Sequence, residues 1–119
     1  MSTRQKDPSI TSAQLAQYET LLPLFEAMHD DVRHLALKSQ TAAMSKTRIA
    51  MMNRLLTDAQ KLMKTEPEEA YLQVLDEATV PQNADALLVL GQFKAALKQF
   101  REKYSYYDEE EAETVWLVR

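Results

Sequence analysis

The sequence predicts an all-α fold, a single-domain bundle of four to five helices, and three observations carry that expectation. The chain has one glycine and four prolines in 119 residues, which leaves little material for β-turns. Its Ala, Leu, Gln, Glu, Lys and Met content favours helix. Apolar residues recur at spacings of three and four along most of its length. The densest such stretch, about 84–104, is read as a buried central helix near the C-terminal end. Placed at 100° per residue, Leu87, Leu88, Val89, Leu90 and Phe93 point almost all the way round its axis, the pattern of a helix covered on every side. Asp85, Gln92 and Lys94 interrupt the run too soon for a membrane span of about 20 residues. Beyond Lys94 the pattern narrows to Phe93, Leu97, Phe100 and Tyr104.

The elements follow in order. Residues 1–9 read as a flexible, solvated arm, 10–107 as the helical domain, and 108–119 as an acidic and then apolar tail. Thr11 or Ser12 can cap a first helix through Leu15, Tyr18, Leu21 and Leu22. Pro23 removes a helical hydrogen bond and crowds the preceding turn, so a break there is preferred over a kink. A second helix carries Leu24, Phe25, Met28, Val32, Leu35 and Ala36 and ends between Lys38 and Thr41.

Ala42 to Lys46 is a connection, with Ser45 as the cap of a helix over 46–64. Its apolar stripe is Ile49, Met52, Leu56, Ala59 and Met63, broadened by Met51, Leu55 and Leu62. Thr65 to Glu69 reads as a stop and restart, because Pro67 suits a first helical turn and acids complement the helix dipole. A short helix through Ala70, Tyr71, Val74 and Leu75 is expected next. Thr79 to Gln82 breaks it, and Asn83 is expected to cap the central helix with Asp85 in its first turn.

Composition narrows function by exclusion. Without cysteine there is no disulfide, no thiolate metal site and no cysteine nucleophile. The first residues lack the apolar core of a signal peptide, which points to the cytoplasm. A net charge of −4 argues against wholesale nucleic-acid binding. A single glycine permits no glycine-rich phosphate loop, and no serine has a nucleophile context. No catalytic residue and no cofactor is expected.

Four features stand out as candidates. From Arg33 to Lys64 seven bases face the single acid Asp58. Of these, Lys46, Arg54, Lys61 and Lys64 fall within about 80° on a helix and form a basic ridge, suited to a phosphate backbone or an acidic partner and equally to solvent. The tail from Thr114 to Val118 is β-prone and holds the only tryptophan. It suits either a contact with another chain through Trp116, Leu117 and Val115, with Tyr106 and Tyr107 beside them, or a fold-back onto its own bundle. Gly91, costing about 1 kcal/mol relative to alanine in a helix, suggests the close approach of a neighbouring helix. Glu26 and His29 have the Glu-x-x-His spacing of carboxylate-bundle metal ligands, with Asp30 and His34 nearby, but no second such motif exists to complete the set.

The reading that follows is a non-enzymatic protein–protein interaction module, self-associating or part of a larger cytoplasmic assembly. A nucleic-acid-binding protein using the basic ridge is the alternative. A small metal-binding hydrolase built on Glu26 and His29 ranks last.

Overall fold

A computed structural model describes residues 8–119. It shows three α-helices, α1 (Ser12–Lys38), α2 (Lys46–Leu62) and α3 (Asn83–Tyr104). A 3-10 turn (Pro67–Tyr71) lies between α2 and α3. A β-hairpin, β1 (Ser105–Asp108) and β2 (Glu113–Trp116), closes the chain. The fold is helical, but with three α-helices in place of four or five.

Two local reasons account for the difference. α1 runs unbroken through Pro23. Pro23 and Glu19, the residue whose carbonyl loses its N–H partner, are both exposed, so water can serve the orphaned oxygen. Beyond the 3-10 turn the chain from Leu72 to Asp76 forms no regular element, and no helix forms through Val74 and Leu75. Side chains of α2 hold that segment instead. Asn53 accepts from the Leu75 N–H and donates to the Leu75 carbonyl, both at 2.9 Å. Gln60 donates to the Leu72 carbonyl at 2.9 Å. Backbone groups that a helix would pair internally are thus satisfied from outside.

The helix starts are built by capping. Thr11 accepts from the Gln14 N–H, and Gln14 returns a bond to the Thr11 N–H, a full capping box. Ser45 caps α2 through the Arg48 N–H. The cap of α3 falls one residue earlier than Asn83: Gln82 takes that place, and the Asp85 carboxylate accepts from its N–H. Asn83 is buried and does different work, donating at 2.9 Å to the Ser39 carbonyl at the C-terminal end of α1. The α1–α2 connection and the start of α3 are further pinned by Met44 N–H to Pro81 O and Asn83 N–H to Ala42 O. To reach this pairing Val80 takes a φ of 50°, a costly conformation for a β-branched residue.

The core is one stripe from each helix: Tyr18, Leu21, Phe25 and Val32; Ile49, Met52, Leu56 and Ala59; Ala86, Leu90, Phe93, Leu97 and Phe100. α1, not α3, is the central element, packing along both other helices while α2 and α3 barely meet. α3 is accordingly buried on one face only. Leu90 and Phe93 are fully covered, Leu87 and Val89 are half-buried, and Leu88 is 67% exposed. The all-round apolar pattern of α3 is therefore not matched by burial. No helix among the described residues is long and apolar enough to cross a membrane.

Candidate functional site

The C-terminal candidates come together on the hairpin, and they divide. Ser105 pairs with Trp116, Tyr106 with Val115 and Tyr107 with Thr114. Asp108 closes the turn by accepting from the Glu110 and Glu111 N–H groups, so the acid run forms the solvated tip. Trp116 turns inward. Its ring lies 4.9 Å from Tyr18 and 6.5 Å from Phe100, centroid to centroid. Beyond it, Leu117 donates to the Tyr104 carbonyl and accepts from the Ile10 N–H, while Arg119 donates to the Ile10 carbonyl. The chain end is thus stitched to buried Ile10 ahead of α1. Val115 is half-buried, and Tyr106 and Tyr107 face solvent at 53% and 61%. Residues 1–7 of the expected N-terminal arm lie outside the described residues.

The basic ridge is exposed at all four positions, Lys46, Arg54, Lys61 and Lys64, the last lying just beyond the end of α2. None of the four takes part in the ion pairs among the described residues. Arg48, on a different face, pairs with Asp31 at 2.6 Å. Of the methionines, Met44, Met52 and Met63 are core, Met28 is half-buried and Met51 is exposed.

Gly91 requires the largest correction. A Cβ built there would meet nothing within 4 Å, so no neighbouring helix demands glycine. Gly91 opens instead onto a groove between α1 and α3, which run antiparallel: Asn83 reaches the end of α1, and Phe100 stacks on Tyr18 near its start. Two confluent depressions, about 610 and 780 Å³, share His29, Gly91 and Ala95 and are lined by α1, α3 and Gln40, two residues beyond α1. Leu22 and Phe25 lie at one end, Ala36 and Leu87 at the other, and Leu88 on the rim. The α1 wall carries Glu26 and Asp30 beside this floor, and the α3 wall carries Lys94, Lys98 and Arg101.

Glu26 and His29 therefore line the same hollow. No group of three or more His, Asp or Glu able to hold an ion occurs among the described residues. His34 is turned to the Asp30 carbonyl through Nδ1 at 2.7 Å. Burial holds the His29 imidazole below its ordinary pKa, and the Lys94 ammonium lowers it further.

One buried polar centre had no signal in the spacing of residues. Glu66, which reads from sequence as part of a helix restart, has a side chain 3% exposed. It accepts from Tyr104 Oη at 2.8 Å, Lys103 Nζ at 3.1 Å and Thr65 Oγ1 at 3.1 Å. The bond to Glu66 is the main reason the Lys103 ammonium titrates above the usual lysine range. Desolvation, and then the same carboxylate, raise Tyr104. All four groups are mutually satisfied, which marks a structural clasp between the end of α2 and the end of α3.

Fold and groove together define a class: a small three-helix module, stapled by a terminal hairpin, with an open apolar channel between two of its helices. Comparison with protein-family models, with curated proteins and with solved structures returns no match.

Proposed function

We propose that this chain is a non-enzymatic interaction module that associates with itself, and that the contact surface is the α1–α3 groove. The observation that carries the reading is the groove's anatomy: an apolar floor, an open position at Gly91, a protruding Leu88 and charged walls on either side. Interfaces have that arrangement, with an apolar core and a polar rim. A glycine in mid-helix costs about 1 kcal/mol, and no contact among the described residues repays it, whereas a surface laid against the groove would use the space. In this reading the module works in the cytoplasm, and its cysteine-free composition fits a reducing compartment.

The test is the mass of the protein in solution, by light scattering behind size exclusion. Leu88→Glu, at a solvent-exposed position, is expected to change stability by no more than about 0.5 kcal/mol. It should convert the associated form to monomer. A native chain that stays monomeric, or association indifferent to Leu88→Glu, overturns the reading.

A second reading rests on the basic ridge, whose four side chains are exposed and free of ion pairs among the described residues. Duplex DNA would then bind at low salt, with an affinity that falls linearly on a log–log plot as salt rises, by a slope of about −0.9 per phosphate neutralised. Absence of binding at low salt excludes it. No aromatic residue interleaves with these bases, and the ridge is the weaker candidate for that reason.

A further inference from the structure

We infer that the α1–α3 groove binds a long-chain fatty acid, with the carboxylate on Lys98 and Arg101 and the chain lying over Ala95 and Gly91 towards Leu88. The inference stands on the groove itself and not on self-association. It adds a small ligand that competes with a second copy for the same surface.

Charge sets the place of the head. Tyr18 stacks on Phe100 towards one end of the groove, 5.6 Å between centroids, and Asn83 bonds the Ser39 carbonyl at the other. In that antiparallel register Leu22 stands about level with Lys98, Glu26 with Lys94 and Arg33 with Leu88. The charges lining the groove then offset each other along most of its length. Asp30 pairs with Arg33 at 3.7 Å on α1, and Glu26 stands across the floor from Lys94. Lys98 and Arg101 are left over, and no acid that lines the groove stands at their level. Of the other acids at this end, Glu19 does not line the groove, and Glu102 lines only the adjoining hollow on the hairpin side. Neither Lys98 nor Arg101 takes part in an ion pair among the described residues. Arg101 bonds only the Thr114 hydroxyl among them, at 3.4 Å. Positions three apart on a helix are neighbours, so the two cations can serve one carboxylate.

Shape sets the tail. Leu22, Phe25 and Ala95 line the groove beside the cations, and Ala36, Leu87 and Leu88 line its far part. A side chain at position 91 would stand in the middle of this path, and with glycine the place is open. From Lys98 to Leu88 the floor runs about 15 Å at 1.5 Å per residue. That is the depth of one leaflet in a bilayer hydrocarbon core of about 30 Å, hence the reach of a long acyl chain. An extended peptide would bring backbone N–H and C=O groups onto an apolar floor with few partners for them, whereas a methylene chain brings none. Each methylene fully buried raises affinity roughly fourfold, so the chain supplies most of the binding and the head its direction.

The test is calorimetric titration of the full chain with palmitate below its micelle concentration. One saturable site per chain is expected, with laurate, four methylenes shorter, bound more than about tenfold more weakly because an open groove buries each methylene in part. Lys98→Glu with Arg101→Glu should weaken palmitate by about tenfold or more, since like charges then meet at the head. Gly91→Leu should abolish binding while the melting temperature holds or rises, because leucine favours helix and its Cβ meets nothing there. No saturable binding, or binding that survives both the charge reversal and Gly91→Leu, overturns the inference. So does a native chain that sediments with vesicles of anionic phospholipid but takes up no free palmitate, because the groove would then be a membrane-facing surface. The self-association reading fails separately. Palmitate should convert an associated native chain to monomer, and palmitate binding by a chain that is monomeric throughout upholds this inference while removing the other.

Discussion

Replacing Glu66 with alanine is expected to lower the stability of the fold by about 3 kcal/mol, on the order of 10 °C in the midpoint of thermal unfolding. The carboxylate is buried and serves three donors at once, from Tyr104, Lys103 and Thr65. Removing one partner of a buried pair costs about 3–5 kcal/mol when the other charge is stranded. Lys103 is about half exposed and can recover water, which places the loss at the lower end. Tyr104 is buried and cannot recover it as readily, so its hydroxyl carries most of the penalty. Glu66→Gln keeps an acceptor for the tyrosine and should lose only about half as much. The lysine adds a pH signature. Its folded-state pKa is raised, so its contribution is fully present below the ordinary lysine pKa and disappears as the pH rises through the folded value. The native protein should therefore lose some stability in that alkaline window that the Glu66→Gln protein does not. Urea unfolding across pH measures both effects. A loss under about 0.5 kcal/mol for Glu66→Ala would show that the clasp contributes nothing.

Periodicity made the α2 stripe and the core face of α1 legible, because a period of 3.6 with caps at Thr11 and Ser45 is a local signal and those faces are buried as the spacing implies. The signals failed where tertiary contacts decide. Pro23 stays within α1 because its unpaired carbonyl partner faces water, and solvent exposure is not written in a proline. Leu72 to Asp76 has the residues of a helix, but Leu72 and Leu75 are tied to Gln60 and Asn53, twelve and twenty-two positions away. The apolar residues of α3 overstate its burial because Leu88 belongs to the groove rather than the core. Glu66 could not be singled out among the neighbouring acids until Tyr104 was brought against it from the far end of α3. The groove was partly legible: Gly91 was conspicuous in the sequence, but whether a neighbour packs against it depends on which helices meet, and the space above it is open. The opposition of the α1 acids and α3 bases was invisible for the same reason, since it depends on which helices become neighbours.

Trp116→Ala is expected to destabilise the monomer by about 2–4 kcal/mol and to leave the association constant of the folded protein within about tenfold of native. A buried tryptophan replaced by alanine costs about 3–5 kcal/mol, and Trp116 is only partly covered, which lowers the figure. Its contacts with Tyr18 and Phe100 add the preference of aromatic rings for tilted packing, about 0.5–1.5 kcal/mol for a pair. The loss should be polarised. A two-stranded hairpin is marginal on its own. Without its anchor, β1 and β2 should lose amide protection first, and the strap from Leu117 to Ile10 should loosen with them. Hydrogen exchange on the folded variant would show fast amides at Tyr106 and Val115, a directly paired couple, while the α2 core exchanges as before. The alternative role for the same residue, a contact with another chain, predicts the reverse: association lost and the melting point unchanged. The two roles separate cleanly because the structure places the single indole against Tyr18, on the first turns of its own α1. Tyr106 and Tyr107, on the strand paired with it, are more than half exposed, so neither ring takes over the anchoring of Trp116.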